Sequence, residues 1–330
     1  MDTPCYEAIT YKLTRDTVLL CEKLGYDSVW VADHLILGKD GTILECWTLL
    51  SALASLTEKM RLGTLVLCPS HRHPALTAKM AATLDFISNG RVNYGVGAGW
   101  HKVEQLAYGL PWEESAAVRI DQMIEGIEIA ELMWTEEKST YEGRYYQIRD
   151  AICEPKPVQK PHPPIWIGGG GEKLMLKAVA KHATGWNWSG SVALYKHKLG
   201  VLANHCSELG RNLQDILISW DGHILIARTR EELRSKIQRI KSFSPNYPLS
   251  CEAAEIDPSD LLSESSRKKP TESQVCNFVK NNLVGTPEEV ATRIQQYIEV
   301  GVTQFMLWFL DFPSANGIEL FAKEVMPTFK

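Results

Sequence analysis

Two hydrophobic patterns alternate along this chain. Stretches with apolar residues at three- and four-residue spacing predict amphipathic helices, and short blocks rich in β-branched and aromatic residues predict buried strands. A first helix is expected over 6–24, ended by Gly25, and the block Asp27-Ser-Val-Trp-Val-Ala32 reads as a strand running into Asp33-His34. A helix over 46–56 precedes a strand at 60–67. A helix over 74–87, with Pro74 in its first turn, precedes a strand at 91–97, and a long helix follows over 115–134.

Pro155, Pro157, Pro161, Pro163 and Pro164 then mark a surface excursion of extended chain over 135–164. The alternation resumes with a strand at 165–167, a helix at 173–182, a strand at 185–188, a helix at 194–209, a strand at 216–227 and a helix from Glu231. A polar, proline-bearing stretch reads as an insertion near 242–280 that helps cover the substrate. Gly285-Thr-Pro-Glu-Glu289 is a helix start, with Thr286 as N-cap, Pro287 at the first position and two acids in the first turn. That helix ends at Gly301, and 304–309 is the last strand.

Strand–helix alternation over the whole length predicts one α/β domain over 1–330, with a parallel sheet and right-handed crossovers. An open doubly wound sheet and a closed barrel both accommodate it. Seven strands are clear, one fewer than an eight-stranded barrel needs, and the missing one should precede the first helix. Residues 1–5 are too short and too polar to supply it. The expectation is a barrel closed imperfectly, or a start upstream of Met1.

A net charge of −5 argues against a general nucleic-acid binder. No apolar run is long enough to cross a bilayer, and no signal peptide is visible. The eight cysteines are scattered without a C-x-x-C pair, as reduced thiols are. These features predict a cytoplasmic protein whose partner is a small-molecule substrate, with neither nucleic acid nor membrane involved.

The informative segments come in chain order. They are Leu24-Gly-Tyr-Asp-Ser-Val-Trp-Val-Ala-Asp-His34, Arg61-Leu-Gly-Thr64, His73-Pro-Ala75 and Ala81-Ala-Thr-Leu-Asp85. Then follow Ser88-Asn-Gly-Arg91, Gly95-Val-Gly-Ala-Gly-Trp100, Ile165-Trp-Ile-Gly-Gly-Gly-Gly171 and Gly285-Thr-Pro-Glu-Glu-Val290. Together they resemble the luciferase-like monooxygenase superfamily, and within it the coenzyme-F420-dependent oxidoreductases. The resemblance spans nearly the entire chain apart from the insertion. It implies a (β/α)8 TIM barrel with its first strand missing or truncated, a homodimer, and F420 as cofactor with FMN as the alternative. Hydride would pass between C5 of the deazaflavin and a small organic substrate. FMN would instead imply a monooxygenase fed by a separate flavin reductase. A third reading is a non-catalytic member holding a flavin or nothing, against which the intact glycine loops and histidine weigh.

Asp33-His34 ends a strand, at the end of a barrel where active sites lie. An imidazole there acts as a base on an alcohol or bonds the cofactor ring; the plainer reading is a structural histidine bonded to a carbonyl. The resemblance favours His34 as the catalytic base and places both Asp33 and His34 at the cofactor. Gly97, Ala98 and Gly99 would let the backbone approach a flat ring, whereas the dinucleotide spacing is absent and Trp100-His101-Lys102 does not read as a helix opening. Gly168, Gly169, Gly170 and Gly171, ahead of a helix, predict a phosphate site built from free N–H groups and the positive helix end.

The resemblance adds Leu65-Val66, where relatives carry a non-prolyl cis peptide that bulges against the ring. It also places Trp100 and Trp188 in the substrate pocket, although tryptophans such as Trp186 and Trp188 more often serve as core or wall. Relatives acting on sugar phosphates carry a glutamate where this chain has Trp100 and a tryptophan where it has Gly38. Those departures count against a sugar-phosphate substrate and leave the proton donor unassigned. His71-x-His73 has metal-pair spacing, but Pro74 follows at once and no further ligand set accompanies it, so no metal is expected. No G-x-S-x-G elbow is present, which argues against a serine hydrolase.

Overall fold

The structure is a computed structural model that describes residues 10–37, 39–244, 246–254 and 274–329. It opens with α1 (Tyr11–Leu24), β1 (Ser28–Val31), α2 (Cys46–Ala54), β2 (Arg61–Thr64), α3 (Pro74–Ile87) and β3 (Val92–Val96). Two helices, α4 (Lys102–Ala107) and α5 (Ala116–Thr135), precede an antiparallel hairpin of β4 (Ser139–Glu142) and β5 (Gln147–Ala151). There follow β6 (Ile165–Gly168), α6 (Met175–His182), β7 (Gly185–Trp188), α7 (Val192–Glu208), β8 (Leu217–Ile226) and α8 (Arg230–Phe243). Last come α9 (Gln274–Asn281), β9 (Leu283–Gly285), α10 (Pro287–Glu299), β10 (Gln304–Phe309) and α11 (Asn316–Glu324).

Local chemistry sets several of these boundaries. The Thr10 hydroxyl accepts from the Leu13 amide at the start of α1, and Gly25 ends that helix with φ +88°, a backbone region that suits glycine. Thr286 and Glu289 close a reciprocal capping box at α10, with Pro287 in its first turn. Six elements depart from the expectation. The 135–164 excursion holds the β4–β5 hairpin, a helix does open at Lys102, α9 lies at the end of the expected insertion, and β9 and α11 were not foreseen. Residues 6–9 of the expected first helix, Gly38 and much of the insertion lie outside the described residues.

Among the described residues eight parallel strands form one curled sheet: seven run in the order β1-β2-β3-β6-β7-β8-β10, and β9 pairs beside this path with β8 alone. Inside the curl the Trp30 and Trp166 rings meet edge to face at 5.2 Å. Gly63 and Gly185 face them where any Cβ would collide, at 2.2 and 2.3 Å. The architecture is that of a (β/α)8-type barrel that is not fully closed among the described residues. Among the described residues β1 pairs only with β2, and β10 only with β8. Those two edges approach at one end, where Gln304 Nε2 lies 3.4 Å from Ser28 Oγ. Between them runs an apolar seam cavity of about 340 Å³, lined by Val29, Trp30, Met306, Trp308 and Tyr26 among others.

The described ends of the 242–280 segment pack Leu249, Ala253, Ala254, Phe278 and Val279 against Leu225, Ala227, Leu233 and Ile237 in a separate small core. No helix among the described residues is long and apolar enough to cross a membrane.

Candidate active site

The C-terminal ends of the strands converge on a cleft of about 380 Å³. β1 delivers Asp33 and His34, β2 delivers Leu65 and Val66, β3 delivers Gly97 to Trp100, and β6 delivers Gly168 and Gly169. β7 adds Asn187 and Trp188, β8 adds Asp221, and β10 adds Trp308. Nearly all the residues expected at the site are therefore brought together.

His34 is held from a direction that the sequence did not announce. Its Nδ1 lies 2.8 Å from a carboxylate oxygen of Glu104, on α4. The other oxygen of that carboxylate accepts from the amides of Leu35, at 2.8 Å, and Ile36, at 3.1 Å. Burial opposes ionisation of Glu104, but the Leu35 and Ile36 amides and the His34 ring outweigh it and hold the carboxyl below its usual range. With Nδ1 committed, Nε2 is the ring nitrogen left to a substrate. Trp100 meets the same imidazole edge to face at 5.4 Å, stacks on His101 at 4.9 Å, and is 59% exposed, so it forms the rim and not the floor.

Asp33 touches the cleft, but its oxygens serve the protein. The Arg72 guanidinium donates to both at 3.0 Å, the Cys68 amide donates at 3.1 Å, and His71 Nδ1 lies 3.3 Å away. Burial alone would raise this carboxyl; the His71 contact and the Arg72 charge reverse the effect and hold it low. The sequence missed His71 in this role. It is buried between Asp33 and Glu104, whereas His73 turns away to cap α3 by accepting from the Ala75 amide. The two histidines therefore do not act as a pair. His34, His101 and Glu104 do place three ligand-type atoms within 4.8 Å of one another, but Glu104 is already saturated by two amides and His34.

The Leu65–Val66 peptide is cis, as the resemblance implied. The Val66 side chain is wedged between Gly97 and Gly168, where an added Cβ would sit 2.5 and 3.0 Å from it. The four-glycine loop is more divided than expected. The Gly169 amide donates to Asn187 O of β7 at 3.0 Å, so it belongs to the sheet. The Gly170 and Gly171 amides have no acceptor among the described residues, and α6 begins without a side-chain cap. Lys198 of α7 reaches this loop, donating to Gly170 O at 2.7 Å and to Glu172 at 2.8 Å. A Cβ on Gly170 would strike the Trp188 ring at 2.4 Å, so glycine is required there by the close approach. Trp188 lies parallel to Trp186 at 6.0 Å and forms the wall.

A model of the family described as luciferase-like monooxygenase matches residues 3–304. The chain belongs to the luciferase-like monooxygenase family. It is an oxidoreductase, and the family supports a flavin or deazaflavin cofactor. It is similar to the F420-dependent glucose-6-phosphate dehydrogenase of Microbacterium testaceum, 27% identical over 96% of this chain and 92% of that one. The FMNH(2)-dependent dimethylsulfone monooxygenase of Pseudomonas putida is 28% identical over 86% of this chain and 78% of its own. A solved F420-dependent secondary alcohol dehydrogenase, in complex with an F420-acetone adduct, superposes with a TM-score of 0.78. It is 22% identical and covers 98% of this chain and 96% of its own, a likeness of fold. The luciferase-like family therefore includes users of both cofactors among the relatives of this chain.

Proposed function

We propose that this chain is an F420-dependent oxidoreductase acting on a small organic substrate, with His34 handling the substrate proton. The observation that carries the reading is the Glu104–His34 pair at the strand ends. A carboxylate that fixes one imidazole nitrogen leaves the other to take a proton from an alcohol, or to return it to a carbonyl oxygen. The residues present fit a flat ring bearing a phosphate. Val66, Gly97, Ala98, Gly99 and Gly168 form a shelf of small side chains, and the Gly170 and Gly171 amides, which have no acceptor among the described residues and lie on the loop that leads to α6, suit an anion. When bound, the deazaflavin supplies the hydride acceptor and donor at C5. Fluorescence titration of the apo protein with F420 and with FMN tests the reading. Micromolar F420 affinity with much weaker FMN binding is expected. Tight FMN binding without an F420 response would replace it with an FMN-dependent monooxygenase, the reading that the Pseudomonas putida relative supports.

A further inference from the structure

Behind the Glu104–His34 pair lies a second imidazole that this reading does not use. His71 sits on the loop between β2 and α3, with 2% of its side chain exposed. Its Nδ1 is 3.3 Å from Asp33 Oδ2 and its Nε2 is 3.8 Å from Glu104 Oε1. No other group among the described residues satisfies either nitrogen. His34 Nδ1 is 2.8 Å from that same Oε1. One carboxylate oxygen therefore stands between two imidazoles, one reaching the cleft and the other sealed from it.

The charges packed around His71 decide what the ring can be. The end of β1 brings Asp33 and His34. α4 brings Glu104, and His101 just ahead of that helix has its Nδ1 3.5 Å from Glu104 Oε2. The loop that carries His71 also holds Arg72, and Glu45 at the N-cap of α2 shares the Arg72 guanidinium with Asp33. Cys46, Cys68 and Tyr94 are kept in their neutral forms by burial. Arg72 is thus divided between two carboxylates and does not reach Glu104, which is buried with amides and imidazoles alone. A neutral His71 could turn an N–H towards only one carboxylate and would set a lone pair against the other. A doubly protonated ring presents an N–H to each, and pairing is the condition on which buried charges are tolerated.

We propose that His71 is a positioning residue of the acid–base centre: as the buried cation between Asp33 and Glu104, it offsets the Glu104 charge and limits how tightly His34 holds the substrate proton. Glu104 stabilises an imidazolium at His34, and a second positive charge across the same oxygen cancels part of that effect. His34 can then return the proton to a carbonyl oxygen as well as take it from an alcohol. The consequence for turnover rests on the oxidoreductase reading above; the coupling between the two rings is open to test without turnover.

The purified full chain, isotopically labelled at histidine, is titrated with pH by NMR of the ring nitrogens, with His34→Ala assigning the His34 signals. In the wild type both nitrogens of His71 should carry protons at neutral pH. His71→Phe keeps a ring and removes the charge; His71→Gln keeps a hydrogen-bonding amide and removes the charge. In both variants the His34 midpoint should rise by roughly one pH unit. A role in packing alone would leave the midpoint unmoved in His71→Phe, and a role as a hydrogen bond alone would leave it unmoved in His71→Gln; either result overturns the proposal. If neither variant folds by circular dichroism, the wild-type spectrum decides, since a bare ring nitrogen on His71 at neutral pH also overturns it. Failure of the cofactor reading would appear separately, in the F420 titration.

Discussion

Glu104 binds three groups at once, and that makes the His34 ring and the turn beneath it a single unit. Removing the imidazole should lower turnover by about 10²–10⁴-fold while cofactor affinity stays within a few-fold, because the ring shelf is mostly backbone. Glu104→Gln should lower kcat with little change in KM, since an amide still accepts from one donor but no longer stabilises a charged imidazole. Stopped-flow reduction of F420 in His34→Ala and Glu104→Gln measures both effects. Wild-type kcat in both variants would show that the pair is only a structural tie. Nothing near Glu104 in the chain reveals this role, because its partners Leu35 and Ile36 lie 69 and 68 residues away.

At the scale of elements, α6 and its glycine loop invite a sharper test than the loop as a whole. Gly169 has φ +133° and serves the sheet, so substitution there would disturb folding; Gly171 has room, with only Met175 Cβ at 3.5 Å from an added Cβ. Gly171→Asp should therefore leave Tm nearly unchanged, weaken F420 by about tenfold or more through charge repulsion, and spare a phosphate-free deazaflavin analogue. Equal losses for both ligands would assign the loop to folding.

The same scale shows what the sequence made legible. β3 is buried at all five positions and α3 carries Pro74 at its start, and both were readable from pattern alone. α4 inverts the usual rule: Glu104 and Gln105 are its buried residues, whereas Val103 and Leu106 are 66% and 56% exposed. Hydrophobic periodicity is blind to a helix that buries its polar side, and the decisive carboxylate was hidden there. The mostly exposed β4–β5 hairpin escaped for a related reason: Tyr141, Ile148 and Ala151, which pack on the core, are too few and too widely spaced to advertise a strand.

For the whole molecule, acid stability follows from two histidines outside the catalytic wall. Burial lowers the pKa of His182 and of His223 from 6.5 to about 4. Between those values the unfolded chain binds more protons than the folded one, so stability rises with pH across that window and is lost on acidification. Asp221, raised from 3.8 to about 6, opposes this because its folded form takes up the proton first. Two groups against one leave a net loss, roughly 3 kcal/mol per histidine as an upper bound. Urea unfolding at pH 7 and pH 5 should show a lower stability at pH 5. The difference should shrink in His182→Asn and in His223→Phe; an unchanged difference in both would remove these groups from the account.

The open seam has a kinetic meaning as well. In a closed barrel every strand is gripped on two sides, whereas among the described residues β1 and β10 are each gripped on one. A sheet of that kind peels from its margins inward. Backbone amides of β1 and β10 should exchange with deuterium faster than those of β3 and β6. Since His34 rides on the strand that peels first, warming should silence the enzyme before the rest of the fold melts.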